Sequence, residues 1–424
     1  MRIFEQLESR VRGYVRSFPT VFESSQGAIM TDESGRDYID FFAGAGTLNY
    51  GHNNKQITQA LIEYLQSNGV VHSLDMATSA KKRFLTKFLE TILEPRNLDY
   101  KVQFTGPTGT NAVESAIKLA RMIKGRSNIV AFTNAFHGLT MGALAITGNT
   151  FYRDEAHISR SNVSFLPYQN YLGKHLDSLL YFRKMLTDNS SGLDIPAAVI
   201  VETIQAEGGI NVASPEWLRG LAQLCHEFDI LLIIDDIQVG NGRTGDFFSF
   251  EEAGIKPDMV TLSKAIGGGL PLALLLFRQD LDQWKPGEHT GTFRGNNLAF
   301  VAATEALSYW DTMDLSNAVK HKSIVIKDAI QAIADKHPDM NAKVRGRGMI
   351  FGLEIPERGV AGQISERCFE KGLVIELSGA ESQVVKFLPP LIIDEETLVK
   401  GISIVEEAVD EIMEEKLENL TMEM

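Results

Sequence analysis

LLIIDDIQVGNGRTG, residues 231–245, sets four aliphatic residues directly against two aspartates and then a glycine-punctuated turn. A run so short and apolar reads as a strand buried on both faces, the kind that fills a parallel sheet covered by helices. A carboxylate at the end of such a strand is costly to bury unless a partner meets it. In open α/β sheets that place is also where ligands bind, outside the carboxyl ends of the strands. Asp235 therefore calls for something positive, and a protonated ring nitrogen of a bound cofactor would serve; a strand-end helix cap is the structural alternative. Gln238, three residues on, is of a type that could hydrogen-bond a ring oxygen.

Three further runs share this character: NIVAF (128–132), AAVIV (197–201) and MVTL (259–262). They alternate with longer helical stretches, which predicts strand-helix units, a mainly parallel sheet and the α/β class for a large domain over residues 53–312. The strand ends carry Glu202 after AAVIV and Lys264 after MVTL. Lys264 lies between a buried strand and a GGG turn with no acidic neighbour in sequence. A lysine desolvated there has a lowered pKa and becomes nucleophilic towards carbonyl groups; an ordinary surface lysine is the alternative. Beyond residue 312 the texture changes to a long amphipathic helix, the short strands MIFGLEI, LVIEL and VVKFLPPLII, and a charged helix from Glu395. This predicts a smaller α+β domain, 313–424. The first 52 residues, with a helix and the alternating run GRDYIDFF, are expected to pack on it.

In TGPTGTNAVESAIKLARMIKG (105–125), Val113, Ala116, Ile117 and Ala120 recur at helical spacing, so a helix starts near Asn111 and Gly125 ends it. Thr108, Gly109 and Thr110 then sit at a helix N-terminus, where free N–H groups and the helix dipole suit a phosphate; an ordinary threonine cap is the plainer reading. In AFHG (135–138), Phe136 could stack on a planar ring beside His137, or the two form a core aromatic and a buried histidine.

The whole composition limits what this chemistry can serve. A chain of 424 residues with 44% hydrophobic and 23% charged residues can bury a large core. No stretch approaches the roughly 20 apolar residues of a membrane helix, and the start MRIFEQLESRVRG lacks a signal peptide's apolar centre. Two cysteines without ligand spacing give a disulfide framework or zinc site no support. A net charge of −14 without a basic tract speaks against nucleic acid. A cytoplasmic protein acting on small molecules is expected.

Taken in order, the phosphate-type helix start, the stacking aromatic, the strand-end aspartate and the strand-end lysine resemble the class III aminotransferases, the group containing ornithine, acetylornithine and 4-aminobutyrate aminotransferases, over nearly the whole chain. The resemblance implies fold type I, with a seven-stranded, mainly parallel sheet, and pyridoxal 5′-phosphate as the cofactor. Thr108-Gly109-Thr110 stands where the family binds the phosphate, Phe136-His137-Gly138 where it stacks on the ring, Asp235-Asp236-Ile237-Gln238 where it holds the ring nitrogen and oxygen, and Ser263-Lys264 where it attaches the cofactor. Glu202 opens the family's Glu-Pro-x-x-Gly-Glu-Gly-Gly stretch and is placed with the cofactor. Thr292-Phe293-Arg294-Gly295-Asn296 matches a motif whose threonine reaches the phosphate of a neighbouring subunit, which implies a homodimer with shared active sites.

Two matches concern substrate. Glu207 stands where ω-amino enzymes keep a gate glutamate. Its usual arginine partner, ahead of a Pro-Pro-Leu stretch, is replaced by Lys386 in VVKFLPPL, which keeps the charge and loses the planar fork that grips a carboxylate. Arg243, Arg345 and Arg347 could be invoked in its place, but family arginines in such NGRTG-like and RGRG-like stretches look structural. Within the family, FEQLESRVRGYVRSFPTVF, TGPTGTNAVE and GTFRGNN resemble the branch serving ectoine biosynthesis. That implies transfer of the amino group of L-glutamate to the aldehyde of L-aspartate 4-semialdehyde, giving L-2,4-diaminobutyrate and 2-oxoglutarate. Another ω-aminotransferase, of ornithine or 4-aminobutyrate type, or a same-fold aminomutase would share these residues.

Overall fold

The computed structural model describes residues 2–153 and 159–423. A seven-stranded sheet forms its centre, built from β1 (Tyr100–Phe104), β2 (Ile129–Phe132), β3 (Val163–Leu166), β4 (Ala198–Val201), β5 (Leu231–Asp235), β6 (Met259–Leu262) and β7 (Leu274–Arg278). Their order is β1-β7-β6-β5-β4-β2-β3. Only β7 runs against its neighbours, β6 and β1, so the other strands share one direction and end at one edge. Both faces are covered, which is why the strands are continuous apolar runs rather than alternating ones. Val199, Val201, Leu232, Ile234, Val260 and Leu262 join a core with Phe84, Trp217 and Phe300. The intervening Ala198, Ile200, Leu231, Ile233 and Met259 join another with Val113, Ala116 and Ala120 of the helix Gly109–Lys124.

That helix begins two residues before the expected Asn111, because Thr108 and Asn111 cap it reciprocally. Gly125 ends it in the left-handed region, at φ 59°, as glycine allows.

A further core gathers the helices Asp314–Lys336, Val360–Glu370 and Glu395–Glu423 over two small sheets. In one, Lys343–Arg347, Ile350–Glu354, Val384–Phe387 and Glu376–Ser378 lie in that order, all antiparallel. In the other, the N-terminal strands Phe22–Gln26, Ile29–Asp32 and Asp37–Asp40 are joined by Leu373–Val374. LVIEL, expected as one strand, is thus divided at Ile375 between two sheets. VVKFLPPLII is strand only to Phe387, since Pro389 and Pro390 have no N–H to donate to a ladder. The helix Val360–Glu370 and the strand Lys343–Arg347 were not anticipated.

Candidate active site

Loops leaving the carboxyl ends of five parallel strands meet at one edge and enclose a cavity of about 350 Å3. Asp235 is the last residue of β5, Glu202 the first beyond β4, and Lys264 the second beyond β6. The loop after β1 delivers Thr108, Gly109 and Thr110, and that after β2 delivers Phe136 and His137. All of these line the cavity, with Glu207 and Gln238. Of the residues read as site residues, Thr292 and Lys386 do not line it. Thr292 is exposed, as is Phe293 at 68%, and the segment lies against the loop bearing Val70, Val71, Leu74 and Met76, all exposed.

Asp235 is buried, and within the chain its partner is His137, whose Nδ1 donates to it at 2.7 Å. The hydroxyl of Thr261 donates at 3.1 Å. The buried histidine is therefore part of the site's wall, and its Nε2 has no partner among the described residues. Asp236 points the other way, into contacts with the Ser249 N–H and hydroxyl. Burial pushes Asp236 up to about 7. Glu202 accepts the Phe136 N–H at 3.0 Å, and burial together with the Asp235 carboxylate raises it well above the ordinary carboxylate range. The protonated form of Glu202 is thus favoured beside Asp235.

Lys264 is half-buried and adopts φ 52°, a left-handed conformation that costs a residue other than glycine roughly 1–2 kcal/mol. Desolvation lowers its pKa, with the negative charge of Glu207 opposing. Strain and a deprotonation-prone amine at one residue mark a position held for chemistry.

At the opposite end, the first turn of the helix Gly109–Lys124 offers N–H groups without intrahelical acceptors. A Cβ on Gly109 would come within 2.9 Å of the Ile237 side chain, so only glycine lets the two loops close on each other. The hydroxyls here are already engaged: Thr108 donates to Asn111 at 2.9 Å, Thr140 donates to Glu114 at 2.6 Å, and Thr110 then donates to Thr140 at 2.6 Å. Glu114 also accepts the N–H groups of Gly142 and Ala143.

Glu207 receives Gln238 Nε2 at 3.0 Å and Lys386 Nζ at 2.8 Å. Gln238 also donates to the Ala45 carbonyl at 2.9 Å, which brings the AGAGTLNYGH segment to the site, and leaves its Oε1 without a partner among the described residues. Lys386 is wholly buried and lies 2.7 Å from a second carboxylate, Glu376, which the sequence reading missed. Burial alone would raise Glu207, but the ammonium groups of Lys386 and Lys264 bring it down to about 2. Burial pushes Glu376 up to about 7 in spite of Lys386. The arginines read as structural are so placed: Arg243 binds the Met349 and Pro389 carbonyls and Asn49, Arg345 the Gly209 carbonyl and Glu354, and Arg347 the Ser249 carbonyl and Glu252.

An outer cavity of about 550 Å3 adjoins the first and shares Phe136 and Glu207 with it. Tyr152, Arg153, Ser378 and Gly379 also line it. It depends on loops far apart in sequence, and no motif announced it.

The family model for class-III aminotransferases matches residues 12–409. A diaminobutyrate–2-oxoglutarate transaminase of Wolinella succinogenes is 65% identical over 416 residues, 98% of this chain and 97% of that protein. One of the same name from Halalkalibacterium halodurans is 54% identical over 98% of both chains. Among solved structures, ornithine aminotransferase from Toxoplasma gondii has a TM-score of 0.84 at 24% identity, covering 98% of this chain and 95% of that one, which supports the fold.

Proposed function

This chain belongs to the class-III aminotransferases, which work with pyridoxal 5′-phosphate, and we propose that it moves the amino group of L-glutamate to L-aspartate 4-semialdehyde, giving L-2,4-diaminobutyrate and 2-oxoglutarate, as ectoine biosynthesis requires. The substrate reading is supported by the name of relatives 54–65% identical over nearly the whole chain. The chemistry is supported by one observation above all: the strained, desolvated Lys264 opens into the same cavity as the Asp235–His137 pair.

The cavity suits a flat ring with an anionic tail. A helix N-terminus closed by Gly109 suits the phosphate, Phe136 gives an aromatic wall, and Gln238 Oε1 and His137 Nε2 are buried polar atoms still lacking partners. When bound, the cofactor supplies an electron-withdrawing ring that draws electrons from the bonds at the substrate's amine-bearing carbon. Asp235, fixed by His137 and Thr261, would hold a proton at the ring nitrogen. Lys264 would hold the cofactor through its amine, and that amine, when free, would take the proton from the substrate carbon and carry it within the site. The Thr108, Gly109 and Thr110 turn would receive the phosphate, and Glu202, which accepts the Phe136 N–H, would position that loop over the ring.

Glu207 divides the two cavities and acts as the gate, closing Lys386 off from one substrate and exposing it to the other. The exposed apolar surface beside Thr292 supports a homodimer in which Thr292 serves the partner's phosphate site. The chain reads as a large cofactor domain (53–312) and a small domain (313–424) on which residues 1–52 pack, and the pairing of Leu373–Val374 with the strand Asp37–Asp40 supports that grouping. Among the described residues no helix is long and apolar enough to cross a membrane; we read the protein as cytoplasmic.

The test is to mix the purified protein with L-aspartate 4-semialdehyde and L-glutamate and assay L-2,4-diaminobutyrate. Turnover of ornithine with none of that product would overturn the substrate and leave the chemistry standing.

A further inference from the structure

Glu207, Lys386 and Glu376 form a row running from the cavity into the protein. Glu207 lines both cavities and its side chain is 25% exposed, Lys386 behind it is wholly buried, and the Glu376 side chain is 5% exposed. Glu376 is the cross-strand partner of Lys386 in an antiparallel pair, and Gly352 is its partner on the other side, so the lysine is fixed from both edges. The ammonium lies 2.8 Å from Glu207 and 2.7 Å from Glu376, so the row carries one net negative charge when both carboxylates are ionised. A cation so deeply buried needs a carboxylate beside it at all times. Of the two available, Glu207 belongs to a loop at the cavity wall, whereas Glu376 belongs to a paired strand, so Glu207 is the one free to leave.

We propose that Glu376 is a positioning residue for the dicarboxylate substrate: it stays on Lys386 when Glu207 withdraws, so that a substrate carboxylate takes the place of Glu207 on an ammonium already balanced in charge. One carboxylate replaces another, and the charge of the row is the same before and after. The negative charge of Glu207 is one of the influences that keep Glu376 hard to ionise. Its withdrawal therefore firms the remaining pair. Without Glu376, withdrawal would strand a bare, wholly buried ammonium, and Glu207 would stay locked on Lys386.

The inference rests on the reading that one pocket alternates between L-glutamate and a substrate presenting its ω-amine. The test follows each half-reaction by cofactor absorbance in the holoenzyme of the wild type, Glu376→Gln, and Glu376→Gln combined with Glu207→Ala. In Glu376→Gln the ratio of kcat/KM for L-glutamate to that for L-2,4-diaminobutyrate should fall at least about ten-fold. Glutarate, a dicarboxylate that cannot react, should associate at least about five-fold more slowly in stopped flow. Adding Glu207→Ala should recover the ratio at least about three-fold, because nothing is left to lock the lysine. Equal losses with both substrates, unchanged glutarate association, or a further fall in the double variant would overturn the proposal. A wild type active with L-glutamate and L-ornithine but not L-2,4-diaminobutyrate would instead sink the substrate reading, and the same ratio would then be taken against L-ornithine.

Discussion

His137 donates its Nδ1–H to Asp235 across 2.7 Å, and the two residues come from strand ends 98 positions apart. The contact fixes which way the carboxylate faces, so substitution should act on chemistry as well as stability. Replacing His137 with Phe removes the donor and should lower kcat/KM by about 10–150-fold, the size of one lost charge-assisted hydrogen bond. Steady-state kinetics with cofactor in excess check it; an unchanged value would mean that Asp235 orients itself.

Lys264→Ala removes the one amine among the described residues that line the inner cavity. We expect activity to fall by at least about four orders of magnitude and the visible absorbance of the lysine-bound cofactor to vanish. The melting temperature of the apoprotein should move little, since the change trims a half-buried side chain and leaves the backbone conformation in place. Normal turnover in this variant would refute the central assignment.

Asp236 gives a stability prediction with a definite sign. Its folded pKa is raised from 3.8 to about 7, so between those values the folded state binds more protons than the unfolded one, and stability falls as pH rises through the window. Asp236→Asn cannot ionise and escapes that loss. Thermal melts of the two proteins at pH 4 and pH 8 should show the variant gaining on the wild type by on the order of 2–4 kcal/mol. A difference that does not change with pH would mean the carboxyl ionises freely in the fold.

Lys386→Met leaves Glu207 and Glu376 facing each other without a cation. Breaking a buried pair in this way should destabilise the protein by about 3–5 kcal/mol, read as a fall in denaturation midpoint. Arginine at the same position keeps the charge and should cost less.

The sheet was legible because its strands are buried on both faces: in NIVAF, AAVIV, LLII and MVTL neither side can tolerate polarity, so the runs stand out. Asp235 and Lys264 were legible for the converse reason, as charged groups set directly against such runs. What escaped was pairing over long separations. Nothing local says that His137 meets Asp235, or that Glu376, inside a run that looks like one strand, faces Lys386. The argument applied to Asp235, that a carboxylate within an apolar run needs a cation, would have singled out Glu376 too. The exact start of the Gly109–Lys124 helix was hidden because Asn111, read as its first residue, is the cap's reciprocal partner.

The break at Ile375 has a consequence for anyone recombining this protein with its relatives. Leu373–Val374 is hydrogen-bonded to the chain's own beginning, and Glu376, one residue past the break, holds the lysine at the substrate's door. A chimaera that imports a foreign amino-terminal fifty residues therefore pulls on the selectivity apparatus through a lever three residues long. Crossovers should carry residues 373–378 together with the first forty, even though some 330 positions separate them.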